Sequence, residues 1–350
     1  MSIVEIAEQS VPFALDMNAK FRSTDIRTGV LISGSSGWGE FAPFPEYYDK
    51  ISARWLAGAL EAAFGKFPDR IRTAIPVNAI IPMLSELETK EAVSTAITKH
   101  GMTTIKLKVA DGTPESLAND LARIAATQSV FNELGIEGKI RIDVNGAWTA
   151  EQAIVALQRI TEVVGSLDYA EQPCRELSEL RILKTAMQNW SEPVPIAIDE
   201  SIRMSDQIDL ASIREIADVA VVKAIPLGGV QRALDIVMEI GLPTVVSGSL
   251  DTSVGLSSAI ALAASIPQLY GACGLGTGTL FAQDLVTETT LPENGELQVR
   301  RSSPDAHLLS TSANRVSNAD RLWWQQRIVR AWQAGASDLV SAQVREAVGA

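Results

Sequence analysis

From Pro76 onward the chain alternates short apolar segments rich in β-branched residues with longer stretches whose apolar residues recur every three to four positions. Eight short segments stand out: Val77 to Ile81, Thr104 to Val109, Lys139 to Asp143, Leu167 to Glu171, Pro195 to Asp199, Val219 to Lys223, Pro243 to Ser247 and Leu269 to Cys273. Apolar segments of this length, separated by room for a loop and a helix, predict parallel strands in β-α units. Eight such units predict an α/β fold of the (β/α)8, TIM-like barrel type. The stretch Ala150 to Val164, behind the N-cap candidate Thr149, is a clear example of an intervening helix. An open doubly wound sheet is the rival architecture, but no phosphate-binding glycine fingerprint follows an early strand.

Outside this rhythm the pattern changes twice. Residues 1–73 read as strands followed by a helix, which predicts an α+β capping domain. Arg27 to Ser33 is the strand, Gly34 to Gly39 a hairpin turn, Glu40 to Pro45 an extended strand end and Ala53 to Phe64 the helix. The stretch between Pro12 and Asp25 reads as a short loop, and a cap would use it to cover the barrel mouth. The glycines of the Gly34 turn are too few and wrongly spaced for a dinucleotide fingerprint, and a strand follows them. The barrel is expected over 74–280. In the final segment, 281–350, Thr287 to Arg300 is expected to form a strand and hairpin that return to the cap. Asn318 to Ala334 is expected to form a covering helix packed through Leu322, Trp323, Ile328 and Trp332.

Composition narrows the partners. With 350 residues the chain has ample material for one barrel and a smaller domain. A formal net charge of −12 gives neither nucleic acid nor an anionic membrane a basic face to bind. The two cysteines, Cys174 and Cys273, form no CxxC pattern and are expected to be packed thiols of a cytoplasmic protein. The opening MSIVEIAEQS has no secretory pattern, and no apolar run is long enough to span a bilayer. The partner expected is a small-molecule carboxylate, and the sequence carries no signature of oligomeric state.

The candidate chemistry sits at the strand ends, where barrels build active sites. The third, fourth and fifth segments end in Asp143, Glu171 and Asp199 at equal intervals, and the sixth ends in Lys223. Lys106 and Lys108 lie near the end of the second. Consecutive strands of an eight-stranded barrel are about 45° apart around the axis, so the second and sixth face each other across the mouth. Three carboxylates on one side, flanked by lysines on opposite walls, form an oxygen-rich anionic pocket. Without a cation they would raise one another's pKa. A hard divalent ion removes the conflict, and Mg2+, with Mn2+ as a substitute, suits oxygen ligands and open positions. Zinc is disfavoured because neither His100 nor His307 falls near a strand end. Residues two apart share a face, so Lys106 with Lys108, and Arg141 with Asp143 and Asn145, point inward. A neighbouring ammonium and a metal each lower a lysine's pKa, which readies it as a base.

The motifs Lys106-Leu-Lys108, Asp143-Val-Asn145-Gly-Ala-Trp148, Glu171-Gln-Pro173, Ile198-Asp-Glu-Ser201 and Lys223-Ala-Ile-Pro-Leu-Gly-Gly229 resemble the enolase superfamily, in particular its muconate-lactonizing branch. The stretch Ser247 to Leu256 is similar to the seventh-strand segment of a dehydratase in that branch. The resemblance implies that Asp143, Glu171 and Asp199 bind Mg2+ and that Lys108 is the acid and base. It also implies that Lys223 stabilises an anionic intermediate and that the substrate is a hydroxylated cyclohexadiene carboxylate of menaquinone biosynthesis. Lys106 is counted with the catalytic lysines, and Asn145, Ser247 and Ser249 are expected to contact substrate. Arg141 and Glu200 are expected to support the metal ligands from behind. Racemisation of N-acylamino acids, dipeptide epimerisation and cycloisomerisation use the same metal and lysines and stay open. So does a non-catalytic metal-binding scaffold, against which both walls of lysines argue. A lysine Schiff-base aldolase is disfavoured by the acids. Gly274 to Gly278 is read as a flexible loop rather than a phosphate cradle.

Overall fold

The computed structural model describes residues 1–21, 24–205 and 207–349. The chain opens with α1 (Ile3–Gln9), started by a capping box between Ser2 and Glu5. Three antiparallel strands follow, β1 (Val11–Phe21), β2 (Thr24–Gly34) and β3 (Gly37–Phe41), in the order β1-β2-β3, with α2 (Asp49–Phe64) packed against them. The expected short loop between Pro12 and Asp25 is therefore mostly two strands, paired from Val11 opposite Leu31 to Asp16 opposite Ile26. Its tip, Arg22 and Ser23, lies outside the described residues. The run Val11-Pro-Phe-Ala-Leu forms a strand because both its faces have cover. Phe13 and Leu15 enter the cap core, and Ser312 bonds the Ala14 backbone in both directions.

The barrel begins after β4 (Ala74–Pro76). Its strands are β5 (Ala79–Ile81), β6 (Thr104–Lys108), β7 (Lys139–Asp143), β8 (Tyr169–Glu171), β9 (Ile196–Ile198), β10 (Val219–Val222) and β11 (Thr244–Val246), all parallel and each beside the next. Between them run α3 (Glu86–His100), α4 (Ser116–Leu134), α5 (Ala150–Val164), α6 (Leu177–Met187), α7 (Glu200–Arg203), α8 (Leu210–Ile216) and α9 (Val230–Ile240), and α10 (Ser253–Ser265) follows β11. Thr149 caps α5 as the sequence predicts, with Gln152 completing the box. The eighth segment closes the ring through parallel bridges, Thr244 to Leu269 and Ser247 to Gly274 on one side and Val77 to Cys273 on the other. It is broken into bridges because Gly271 turns the backbone to φ 69°. The main core lies between strands and helices. Inside the ring, Tyr169, Ala197, Val219, Val221 and Val245 fill the space below the mouth.

Three expectations for the later chain change. The Gly274–Gly278 stretch is buried, bridging Ser247 at Gly274 and entering a 3-10 turn, Gly276–Leu280, rather than forming a flexible loop. The strand within 287–300, β12 (Glu296–Gln298), does not return to the cap but pairs antiparallel with β4. The helices α11 (Ala306–Ala313), α12 (Asn318–Ala331), α13 (Ser337–Leu339) and α14 (Ala342–Ala347) then cover the cap. The inward face of α12 is Trp324, Arg327, Ile328 and Ala331, while Leu322 is 54% and Trp323 36% exposed. Of the expected stripe, Ile328 is inward and Trp332 packs half-buried on the cap core, whereas Leu322 and Trp323 lie one or two positions off the face that 324, 327–328 and 331 keep.

Cap and barrel meet on buried polar groups. Glu40 of β3 accepts from the backbone N–H (3.1 Å) and the hydroxyl of Thr252, the N-cap of α10. Arg27 of β2 donates to the carbonyls of Leu250 (3.0 Å) and Ser249 (3.4 Å). Gly255 makes the approach possible, since a Cβ there would lie 2.6 Å from Glu40 Oε2. Burial, and then Asp251, push the Glu40 carboxyl up to about 8, against the pull of Arg27 and Thr252. Among the described residues no helix is long and apolar enough to cross a membrane.

Two outcomes follow for stability. Trp324→Ala is expected to cost about 3–5 kcal/mol in urea unfolding, and Trp323→Ala only a fraction of that; equal losses would overturn the assigned helix face. Glu40 keeps in the fold a proton that the unfolded chain releases above its ordinary value of 4.5, so its contribution to stability falls as pH rises from there to about 8. Glu40→Gln should therefore gain on the parent chain in thermal melts taken from pH 5 to pH 8. Parallel curves would mean that Glu40 is ionised in the fold.

Candidate active site

The sequence-predicted acids and lysines gather at the C-terminal ends of the strands. Strand register sets Lys108 beside Asp143 and Asp143 beside Glu171, and Asp199 follows β9 directly. Lys106 and Lys108 face inward together, as alternation along β6 requires. Each acid is paired with a cation. Lys106 Nζ lies 2.7 Å from Glu171 Oε2 and 3.4 Å from Asp143 Oδ2. Lys108 Nζ is 2.6 Å from Asp143 Oδ2 and 2.7 Å from Asn145 Oδ1. On the far wall, Lys223 Nζ bonds Asp199 Oδ2, and Arg203 Nε donates to Asp199 Oδ1 at 2.9 Å.

This interleaving separates the pKa values. Against the cost of burial, Lys108 and Lys106 hold the Asp143 carboxyl well below the usual range, and Arg203 and Lys223 do the same for Asp199. Glu171, fully buried and facing Asp143, is pushed up to about 7 despite Lys106. The two neighbouring lysines part in opposite directions. Burial is outweighed at Lys106 by Glu171 and Asp143, which raise it, whereas at Lys108 burial and the adjacent Lys106 ammonium prevail over Asp143 and lower it. Lys108 therefore gives up its proton more readily than Lys106.

The remaining predicted residues fall in different places. Asn145, with φ 52°, accepts from Lys108 and donates to Glu200 Oε1 at 3.1 Å, so it ties these two together. Arg141 faces inward but one layer deeper than Asp143. It bonds Asp168 (2.7 Å), Asn78 (3.0 Å) and the Ala272 carbonyl (2.6 Å) and lies over the Tyr169 ring, and none of its bonds reaches the acid set. Glu200 meets Asp199 through Arg203, which bonds both. Ser247 and Ser249 do line the cleft, and the Ser249 hydroxyl is buried without a partner. Cys174 and Cys273 are buried, with burial pushing their thiols up to about 12 and about 11. His100 is buried beside the Pro292 carbonyl.

Several residues of the site escape the sequence reading. Arg203 is one, and its signal is the helical spacing of four from Asp199. Gln172 is another. Its carbonyl oxygen accepts from the backbone of Asp199 (3.1 Å) and Ser201 (3.2 Å), and its amide donates to the Cys174 carbonyl and the Ser201 hydroxyl. It pins the ends of β8 and β9 together, and its place beside Glu171 is the clue. The apolar wall of the cleft, Phe44, Tyr47 and Trp55 from the cap with Ile80 and Leu250 from the barrel, carries no motif at all. The cleft encloses a cavity of about 40 Å³. Chemically, Asp143, Glu171 and Asp199 supply hard carboxylate oxygens, Asp143 facing the cleft, and Glu171 Oε1 is buried with no hydrogen-bond partner. That orphaned oxygen fits a small divalent cation.

Comparison with known proteins agrees with this geometry. Residues 88–305 match the family model described as enolase C-terminal domain-like, and residues 12–63 the one described as enolase N-terminal domain-like. The o-succinylbenzoate synthase of Thermobifida fusca is 40% identical over 91% of this chain and 94% of its own length. That of Mycolicibacterium smegmatis is 39% identical over 93% and 95%. Among solved structures, the muconate lactonizing enzyme of Pseudomonas putida shares the fold with a TM-score of 0.67 at 19% identity, over 87% of this chain and 98% of that one. The L-Ala-D/L-Glu epimerase of Bacillus subtilis does so with a TM-score of 0.68 at 18% identity, over 85% and 96%. The capped barrel, its strand-end acids and lysines, and relatives near 40% identity along almost the whole chain place this protein in the o-succinylbenzoate synthase family of the enolase superfamily.

Proposed function

We propose that the chain catalyses the Mg2+-dependent dehydration of 2-succinyl-6-hydroxy-2,4-cyclohexadiene-1-carboxylate to 2-succinylbenzoate, a step of menaquinone biosynthesis in the cytoplasm, and is thus a lyase. The observation that carries this reading is the pair of partly buried lysines on opposite walls, Lys108 against Asp143 and Lys223 against Asp199. Asp143, Glu171 and Asp199 would hold the ion, which when bound neutralises charge on the substrate carboxylate.

The chain's own groups then divide the work. Lys108, neutral in a fraction that burial and Lys106 enlarge, takes the proton from the carbon bearing the ring carboxylate. The electron pair left behind spreads into that carboxylate, and the Lys223 ammonium faces the growing negative charge from the other wall. Lys108 returns its proton to the departing hydroxyl. One C–H and one C–O bond break, water leaves, and the ring becomes aromatic. Because aromatisation supplies much of the driving force, orientation and charge neutralisation are the main demands on the protein. Lys106 keeps its proton throughout and holds Glu171 and Asp143 in register. Ser247 and Ser249 are assigned to the substrate's carboxylates.

The decisive assay follows loss of diene absorbance with purified protein. Turnover of roughly 1–10³ s⁻¹ is expected with Mg2+, loss after chelation, and recovery with Mg2+ or Mn2+. Lys108→Ala is expected to lower kcat by about 10²–10⁴-fold while Mg2+ affinity measured by calorimetry stays unchanged, and Asp199→Asn to weaken both. Faster α-proton exchange with N-succinyl amino acids in deuterated water than dehydration of the cyclohexadiene would assign the site to racemisation instead.

A further inference from the structure

Arg203 ends α7, the short helix behind Asp199, and is 7% exposed. Its guanidinium is engaged on three edges. Nε donates to Asp199 Oδ1 at 2.9 Å, one amino group to Glu200 Oε1, and the other to the Tyr47 hydroxyl at 3.3 Å. Tyr47 belongs to the cap. Its ring meets Phe44 edge-on at 5.6 Å and Trp55 at 6.2 Å, and together the three rings form the cap's side of the cleft. Arg54 of α2 grips the same turn from the cap by donating to the carbonyls of Arg203 (2.9 Å) and Ser205 (2.8 Å). A continuous line therefore runs from the aromatic wall, through one guanidinium, to one carboxylate of the acid set.

The direction of that line has a consequence at Asp199. With Oδ1 committed to Nε, the carboxylate plane is fixed and Oδ2 is turned towards Lys223. A planar fork can hold Asp199, Glu200 and Tyr47 at once, whereas a lysine offers a point charge on a flexible stem and fixes no plane.

We propose that Arg203 is a positioning residue that couples docking of the cap, sensed through the Tyr47 hydroxyl, to the grip of Asp199 on the divalent cation. The proposal rests on Asp199 being a metal ligand, as assigned above. A ligand that fills the cleft presses on the ring of Tyr47, steadies its hydroxyl on Arg203 and so holds Asp199 in the orientation the cation needs. By thermodynamic reciprocity the cation tightens the ligand by the same factor. Direct attraction between cation and anionic ligand also couples them, but this part is indifferent to the Tyr47 hydroxyl, and removing that hydroxyl separates the two.

The test is a calorimetric titration of Mg2+ into the purified full chain, alone and with saturating 2-succinylbenzoate. In the parent chain the dicarboxylate is expected to tighten Mg2+. Tyr47→Phe keeps the ring and should leave the affinity for Mg2+ alone within about twofold while lowering the coupling factor about fivefold, the low end of typical coupling. Arg203→Lys keeps the charge and should weaken Mg2+ alone by about tenfold, the loss of one charge-assisted hydrogen bond. Coupling unchanged in Tyr47→Phe, or Mg2+ affinity unchanged in Arg203→Lys, overturns the proposal. The dehydration assay on the parent chain is separate: its failure with coupling intact would sink the assigned reaction and leave the role of Arg203 standing.

Discussion

The mouth of this barrel depends on charges that cannot be removed one at a time. Asp143, Glu171, Asp199 and Glu200 lie among Lys106, Lys108, Lys223 and Arg203, nearly all of them withdrawn from water. Each ion in such a setting costs several kcal/mol to desolvate, and the cost is met only while its partner is present. The pairing therefore fixes where every side chain points. It also sets the split between Lys106, held charged, and Lys108, eased towards neutrality, from which the proposed acid and base chemistry follows.

The barrel supplies this arrangement cheaply because parallel strands end in register. A strand with alternating sides delivers Lys106 and Lys108 to one interior face, and neighbouring strands deliver Asp143 and Glu171 beside them. Below this layer the interior is closed by Arg141 over Tyr169 and by small apolar residues, so the site is a shallow cup rather than a channel. The cap does what the barrel cannot. It brings an aromatic wall over the cup, and it is fastened through polar groups, Glu40 and Arg27 on the segment before α10 and Arg54 on the turn after α7. Both fastenings touch segments that line the cleft, so the position of the cap and the shape of the site are set together.

The sequence by itself determined the barrel, its strands and the residues at their ends, because these are local facts. Apolar runs of strand length recur with a fixed rhythm, and an acid or lysine at the end of such a run has one place to go. It was also enough to draw the likeness to the enolase superfamily, since the motifs are short and contiguous. What it left open concerned partners distant in the chain. Arg203 meets Tyr47 across the cap boundary, Asn145 meets Lys108 and Glu200, Arg141 lies a layer below the acids, and the face of α12 is one or two positions from the stripe that aromatic content suggested. The segment between Pro12 and Asp25 became strands, and β12 paired with β4, because backbone groups found partners that no local pattern names. Periodicity decides which side of an element is apolar, whereas the choice of partner for a buried charge or an unpaired strand edge is made only when distant segments are brought together.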